Sequence, residues 1–417
     1  MPKIVVIGAG ITGVSTAYAL IQSGYEVVVL EKQRYAAMET SFANGGQLSA
    51  CNAEVWNHWS TVIKGIRWMT RRDAPLLMNP APSWHKYSWL AEFMANISRY
   101  RENTIATARL AIAARQHMFD IAEREKIDFD HVRKGILHVY YDKAGFDHAA
   151  KVNEMLVEGG LDRYAVGPTE ISTIEPALTG SFHGGFYTPS DSTGDIHKYT
   201  NGLARVCEER GAHFIYDAGV TRIAKRDRFT ISYTRSASTG GSAIEQLEAD
   251  AVVVCAGVHS RSIGAMLGDR LNVYPVKGYS ITVDLSDERS QASAPWVSIL
   301  DDRAKIVTSR LGQPRFRVAG TAEFNGANRD IRDDRVRPLV DWTRTLFPGI
   351  TTNKVIPWAG LRPMMPNMMP RVGKGKMAGV FYNTGHGHLG WTLSAATSAA
   401  LAEVIANEIP AEARLAV

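Results

Sequence analysis

Apolar positions in this chain come in two rhythms, and the first thirty-one residues show both. Residues 3–7 (KIVVI) are a β-branched run of the kind buried on both faces of a parallel sheet. Residues 14–21 fit a helix that Gly24 ends, and residues 25–30 return to an apolar strand closed by Glu31. Gly8, Gly10 and Gly13 stand between strand and helix at G-x-G-x-x-G spacing. Strand, glycine turn, helix, strand and acid in register make a dinucleotide-binding βαβ unit. Gly8 permits the tight turn, Gly10 lets backbone approach a pyrophosphate, and Gly13 lets the helix lie close on the strand. The helix N-terminus, with Ile11 and Thr12, offers free N–H groups and the positive end of its dipole to phosphate. Glu31 is at the right remove to accept hydrogen bonds from a ribose, with Lys32 beside it.

The pattern then changes character several times. Residues 38–47 are small, polar and glycine-containing, hence a loop, and they follow a strand that would end at the cofactor. Thr40, Ser41, Asn44, Gly45, Gly46 and Gln47 would let backbone N–H groups reach a flat ring system. Trp56, Trp59, Trp68, Trp84 and Trp89 crowd the next segment, with Lys64, Arg67, Arg71 and Arg72 around Trp68 and Met69. Two readings of this stretch stay open: a basic, aromatic flank lying on a membrane surface, or the wall of a substrate domain with a solvated basic edge. Residues 103–126 carry an apolar stripe at helical spacing through Ile105, Ala108, Ile112, Phe119 and Ala122. A strand follows at 135–141, a helix at 145–158, a break at Glu175-Pro176, and a strand that turns at 186–191. Asp195 precedes another helix, which Gly211 ends.

The later chain is richer in strands. Short ones are expected at 213–216, 220–223 and 229–233, then a polar loop at 236–242. Residues 251–257 repeat the character of the first strand and return to its sheet, which puts Ala256 and Gly257, with Val220, on the adenosine side. Residues 273–285, 304–310 and 314–319 alternate like antiparallel strands, and 335–347 is a helix. A last strand at 380–382 leads into NTGHGHLGWT (383–392), which opens a helix to about residue 408. Gly385, Gly387, His388, Leu389 and Gly390 thus surround a second helix N-terminus, suited to a developing negative charge on a reduced flavin ring.

Composition narrows the class without deciding the function. With 417 residues the chain can bury a large core in two interlocked domains, and its 45% apolar and 21% charged content is ordinary. No run of eighteen apolar residues occurs, so no spanning helix is expected. The first twenty residues imitate a secretion signal, but their glycines sit at motif spacing, so the chain is expected inside the cell. Cys51, Cys207 and Cys255 are far apart, which fits a reducing compartment and suggests no disulfide framework. The histidines show no metal-ligand spacing, so no metal is expected. A net charge of +5 is modest, and no nucleic-acid motif is visible.

Four stretches together carry a family resemblance: ETSFANGGQ (39–47), PVKGYS (275–280), GLRPM (360–364) and NTGHGHLGW (383–391). On these the chain resembles the FAD-dependent amine and amino-acid oxidoreductases of the D-amino-acid oxidase and glycine oxidase class, the bacterial D-amino-acid dehydrogenase small subunits among them. The resemblance spans nearly the whole chain. It implies an α/β fold, with a Rossmann-like FAD-binding domain from residues 1–50, 195–268 and 360–417. Residues 51–194 and 269–359 would form an α+β substrate domain on a mixed, largely antiparallel sheet. It also implies oxidation of a D-amino acid to a 2-oxo acid and ammonia, with electrons passed to a quinone or another acceptor. The location implied is cytoplasmic, peripheral on the inner membrane surface. One stretch departs from the family: an Asp-Gly pair is usual after the Arg-Pro turn, and here the chain reads PNMMP (366–370). Substrate identity is therefore left open.

The chemistry expected is hydride transfer from the substrate Cα to flavin N5, with the protein supplying position and field. A planar arginine suits the substrate carboxylate, since it donates two parallel hydrogen bonds. Arg362 follows a strand, precedes a proline and matches the family's carboxylate-binding arginine. Tyr279 is a second candidate, its phenol covering or bonding the substrate. His386 is assigned to the flavin loop, because hydride loss from a neutral amine needs no side-chain base. Two rivals remain: an oxygen-using oxidase of glycine, sarcosine or a D-proline-like ring, and a flavin subunit that only relays electrons. The Arg362 turn speaks against the relay.

Overall fold

In the computed structural model, residues 1–68, 75–236 and 242–411 are described. The elements begin β1 (Lys3–Ile7), α1 (Ile11–Gln22), β2 (Glu26–Leu30), β3 (Gln47–Leu48), α2 (Trp59–Trp68), β4 (Leu76–Met78), α3 (Trp84–Ala95) and α4 (Tyr100–Arg124). They continue β5 (Ile136–Tyr140), α5 (Lys143–Glu158), β6 (Tyr164–Val166), α6 (Pro168–Ile174), β7 (Gly184–Thr188), β8 (Ser192–Thr193), α7 (Ile196–Glu209) and β9 (His213–Ile215). Next are β10 (Ala218–Lys225), β11 (Phe229–Ser236), β12 (Ser242–Ala249), β13 (Ala251–Val254), α8 (Ser260–Met266), β14 (Tyr274–Asp284) and α9 (Glu288–Ser293). The chain closes with β15 (Ser298–Asp301), β16 (Ile306–Leu311), β17 (Arg315–Phe324), α10 (Asp333–Leu346), β18 (Val355–Met364), β19 (Arg371–Lys374), β20 (Val380–Thr384) and α11 (Gly390–Glu408).

Two large sheets organise these elements. The first has the order β19-β20-β13-β1-β2-β9 and is parallel except at β19. Its centre is buried on both faces, as its unbroken apolar runs require. Ile4, Val6, Val27 and Val29 face α1, α7 and α11, while Val5, Val28, Val252 and Val254 face the three-stranded sheet β10-β11-β12. Helix α11 is long and apolar enough by composition to cross a membrane, unlike what residue counting alone suggested. It is mostly buried, its Trp391, Leu401 and Ile405 packed with α1 and the first sheet, as in the core helix of a globular protein.

The second sheet has nine strands, in the order β18-β14-β17-β16-β15-β5-β7-β6 with β4 beside β17. It is mixed: β15 pairs with β5, and β17 with β4, in parallel, and the other pairs are antiparallel. Its two faces differ sharply at β14 and β17. Tyr279, Ile281, Val283, Phe316 and Val318 pack with Leu339, Leu346 and Phe347 at α10. The alternate residues Gly278, Ser280, Thr282, Arg317 and Ala319 are small or polar and face the other way. That polar face looks onto the 40–47 loop.

Three sequence expectations need correcting. Strand β12 was not anticipated, because Ser-Ala-Ile-Glu-Gln-Leu-Glu-Ala is helix-favouring; full antiparallel pairing with β11 overrides that preference. Residues 360–363 are not a turn. They lie inside β18, with Arg362 opposite Val276 and Pro363 opposite Pro275. Pro363 is tolerated because β18 is the edge strand and its outer side needs no donor, and Pro275 because β14 pairs with β17 only from Lys277 onward. The aromatic segment divides rather than following one reading: Trp89 is buried and its indole N–H donates to the Met364 carbonyl, whereas Trp59 and Trp84 are exposed. Met69, Arg71 and Arg72 lie outside the described residues, as does most of the expected 236–242 loop.

Candidate active site

A cavity of about 610 Å³ runs from the C-terminal ends of β1 and β2 to the polar face of the nine-stranded sheet. At one end it is lined by Gly8, Gly10, Ile11, Thr12, Glu31 and Lys32, with Val220, Ala256 and Gly257 opposite. Gly8 has φ +105°, and a Cβ there would lie 2.7 Å from the Cys255 carbonyl oxygen. Gly13 does not line the cavity. It allows the crossing itself, since a Cβ on it would stand 1.8 Å from the Gly8 carbonyl oxygen. Gly10 caps α1 without a side-chain hydrogen bond, so no side chain of its own competes for the helix's open N–H groups. The Glu31 carboxylate accepts from the N–H of Ala9 (2.7 Å) and Gln33 (2.9 Å), so it also holds the glycine turn. Burial raises its pKa, and those two N–H groups act against the rise.

The middle of the cavity is the expected loop: Thr40, Ser41, Asn44, Gly45, Gly46 and Gln47 all line it. Ser41 Oγ accepts from the Ile11 N–H at 3.0 Å, which ties the loop to the first helix and occupies an N–H that the sequence led us to expect free for phosphate. Gln47 begins β3, which pairs with β8.

At the far end Gly385, His386, Gly387, His388 and Gly390 line the wall at the N-terminus of α11. Gly385 and Gly387 take φ +76° and +60°. Leu389, expected at the cofactor, does not line the cavity. It packs with Ala50, Cys51 and Leu393, because the short 3-10 turn Gly387–Leu389 rotates it into the core. The His386 ring turns to α11, its Nε2 3.0 Å from Thr397 Oγ1, whose own hydrogen goes to a helix carbonyl. Burial brings its pKa down to about 3, so it is neutral. His388 donates from Nε2 to the Asn52 carbonyl (3.1 Å) and stacks on Trp56 at 4.9 Å. Its pKa falls to about 4 through burial, helped by the charge of Arg362. Its Nδ1 is buried without a hydrogen-bond partner among the described residues.

Arg362 lines this same end. From β18 its guanidinium lies flat over Gly278 of β14: a Cβ built on that glycine would be 2.4 Å from Arg362 Cζ. Among the described residues it has neither an ion pair nor a hydrogen bond. Burial alone brings its pKa down to about 10, so it stays charged. Tyr279, expected beside it, also contributes to the cavity wall, but its ring packs on the opposite side of the sheet. Strand alternation decides this: Gly278 faces Arg362, so its neighbour faces α10. There the phenol lies 3.4 Å from the Asp330 carbonyl, beside Glu323 and with Lys277 Nζ over its ring.

The remaining wall carries residues that sequence spacing could not join: Cys51, Asn52, Trp56, His138, Tyr140 and Arg163. Arg163 lies 3.3 Å from His138 Nδ1 and can only donate, so His138 Nε2–H points to Cys51 Sγ at 3.1 Å. Burial raises the thiol and lowers the imidazole, leaving a neutral pair rather than a thiolate. Asp191 accepts from the backbone N–H of Ala50 and Cys51 and is paired with buried Arg115, which pins this segment in place.

The donor set fits FAD. Glycines clear a path where side chains would collide, a helix N-terminus faces each end, and a carboxylate closes the second strand. Among the described residues no cluster could hold a metal ion.

Comparison with known proteins agrees with this architecture. The model of the family described as "FAD dependent oxidoreductase" (DAO) matches residues 3–404. "D-amino acid dehydrogenase 3" of Mesorhizobium japonicum is 74% identical over 416 residues, covering 100% of both chains. A D-amino acid dehydrogenase of Paramagnetospirillum magneticum is 40% identical, over 97% of this chain and 95% of its own. Glycine oxidase from Geobacillus kaustophilus shares the fold with a TM-score of 0.74 at 19% identity, over 98% of this chain and 96% of that one. L-proline dehydrogenase from P. horikoshii gives 0.75 at 16% identity, over 99% and 96%.

Proposed function

The chain belongs to the family of FAD-dependent oxidoreductases, and from that premise we propose that it is a D-amino acid dehydrogenase, converting a D-amino acid to a 2-oxo acid and ammonia. Bound FAD supplies the two-electron acceptor that takes a hydride from the substrate Cα. The chain's residues hold both partners. Gly8, Gly10 and the open end of α1 receive the pyrophosphate, Glu31 the ribose, and the 40–47 loop with Gly385–Gly390 the ring system.

The observation that carries the substrate reading is Arg362. A half-buried guanidinium in a cavity wall, without an internal partner among the described residues, is costly unless a ligand completes it. A carboxylate does so through two parallel hydrogen bonds, which fix the direction of the Cα–H bond. Neutral His388 adds no second positive charge next to the clamp, which suits the neutral amine from which hydride is lost.

The test is anaerobic. D-Alanine added to the yellow protein should bleach the visible flavin band, and L-alanine should not. A flavin-loaded protein that no D-amino acid bleaches would overturn the reading. The electron acceptor is a quinone, reached at a membrane by the large apolar side chains that α2 and α3 expose: the aromatic Trp59, Trp84 and Tyr87 and the aliphatic Ile63, with Lys64 among them. Sedimentation with anionic vesicles at low salt, lost at high salt, supports that contact; protein left in the supernatant at low salt removes it. Quinone-analogue reduction with little peroxide separates this reading from an oxygen-using oxidase.

A further inference from the structure

Four successive carbonyls of the flavin loop are held from one side. Ser280 Oγ donates to the Ala43 carbonyl at 2.7 Å, Arg317 Nη1 to Asn44 at 2.9 Å, Ser309 Oγ to Gly45 at 2.7 Å, and the Gly194 N–H to Gly46 at 2.9 Å. The three side chains come from β14, β17 and β16 and share the polar face of the nine-stranded sheet, Ser309 standing opposite Arg317 in register. The fit is close. A Cβ on Gly45 would lie 2.8 Å from Val307, and one on Gly46 2.9 Å from Ser309. Carbonyls drawn down onto the sheet keep their negative ends away from the cavity.

Arg317 differs from the other anchors because it is charged. Its Nε donates to Thr282 Oγ1 at 2.9 Å, and it is almost wholly buried. No carboxylate pairs with it among the described residues. Asp195 is nearby, but its oxygens are taken by the N-terminus of α7 and by Arg315. A positive charge therefore sits directly behind the loop.

We propose that Arg317 is a positioning residue that also tunes the cofactor: it holds the Asn44 carbonyl away from the flavin and supplies a buried positive charge that favours the reduced ring. Taking a hydride adds two electrons and one proton, so the ring system gains one negative charge, which this guanidinium stabilises. The proposal rests on the FAD reading above but not on the identity of the amino acid.

The experiment compares two-electron midpoint potentials of the flavin-loaded proteins by anaerobic dye equilibration. Arg317→Gln should favour the oxidised form at least tenfold, a shift of about 30 mV to more negative potential. Arg317→Lys should stay within threefold of the parent. Ser309→Ala, which frees a carbonyl but removes no charge, should loosen FAD and move the potential far less than Arg317→Gln does. Thr282→Asp keeps the arginine and neutralises it in place, so it should reproduce the Arg317→Gln shift, and it carries the test if Arg317→Gln does not fold. Unchanged potentials in both charge-neutralising variants, or an equal shift in Ser309→Ala, would overturn the proposal. Failure of D-amino acids to bleach the flavin would sink the substrate reading and leave these potentials readable.

Discussion

Gly278→Ala is the most discriminating perturbation of the substrate clamp, because it touches Arg362 without replacing it. The new methyl carbon would stand 2.4–2.5 Å from Cζ and both Nη atoms. Ordinary carbon contacts lie at about 3.5–4.0 Å, so the guanidinium must shift by roughly 1 Å. The obstacle is the free end of a long side chain, and Gly278 needs no left-handed backbone angle, so the fold should absorb the change for about 1 kcal/mol or less. The clamp should not absorb it. A displacement of about 1 Å in a positioning group costs on the order of a hundredfold in rate, or about 2.7 kcal/mol of transition-state stabilisation. Stopped-flow reduction by D-alanine should show this loss in kcat/KM, with FAD content and visible spectrum unchanged. Gly65→Ala is the control, since a Cβ there meets nothing within 4 Å among the described residues. A kcat/KM within threefold of the parent for Gly278→Ala would refute the idea that Arg362 orients the substrate from this position.

Arg362→Met should lower kcat/KM further, because each charged hydrogen bond contributes about 1.5–3 kcal/mol. The same change should hold or raise the melting temperature of the substrate-free protein, which calorimetry reads, since it removes a half-buried cation that has no partner among the described residues. Gly13→Ala should give colourless or insoluble protein: backbone would have to yield at a contact of 1.8 Å, and FAD absorbance per chain measures the outcome. Acid should destabilise the protein through histidines held neutral, one buried (His386) and two half-buried (His388 and His131). His386 is lowered to about 3, and His388 and His131 to about 4, from an ordinary value of 6.5. Below pH 6.5 the unfolded chain binds protons that the folded chain refuses. Stability is therefore complete above that pH and falls toward pH 4, by up to about 1.4 kcal/mol per pH unit for His386 and by less for the half-buried His388 and His131, whose shifts solvent screens. Thermal melts across that range should show a shallower slope in His131→Asn.

The sequence made some parts of this molecule legible and hid others for physical reasons. The βαβ unit could be read because its glycines, helix and acid act within a single local segment. Residues 251–257 could be returned to the same sheet because a strand buried on both faces looks alike wherever it occurs. Arg362 was found, but in the wrong local setting: an arginine before a proline suggests a turn, and only the sheet order reveals an edge strand that tolerates both. Tyr279 shows the converse limit. Its neighbourhood was right, but one residue of register decides which side of a sheet a side chain serves. Cys51, His138 and Arg163 left no pattern at all, since their meeting depends on three segments packed together. The same holds for Ser280, Ser309 and Arg317, whose common face exists only once β14, β16 and β17 are aligned.

The order of the first sheet has a consequence for how the protein comes into being. Strand β1 leaves the ribosome first, yet one neighbour, β13, follows some 250 residues later, and β20 comes near the end of the chain. At about 5–20 residues per second, β1 waits roughly twenty seconds to over a minute before the sheet can be completed. Pairings so distant in sequence also close slowly. During that interval the apolar strands of residues 3–30 have no permanent cover, so the nascent chain is at its most vulnerable to aggregation. FAD cannot be enclosed until α11 has emerged. Loading is therefore a late event, and flavin supply and chaperone capacity, rather than synthesis rate, should govern the yield of active protein.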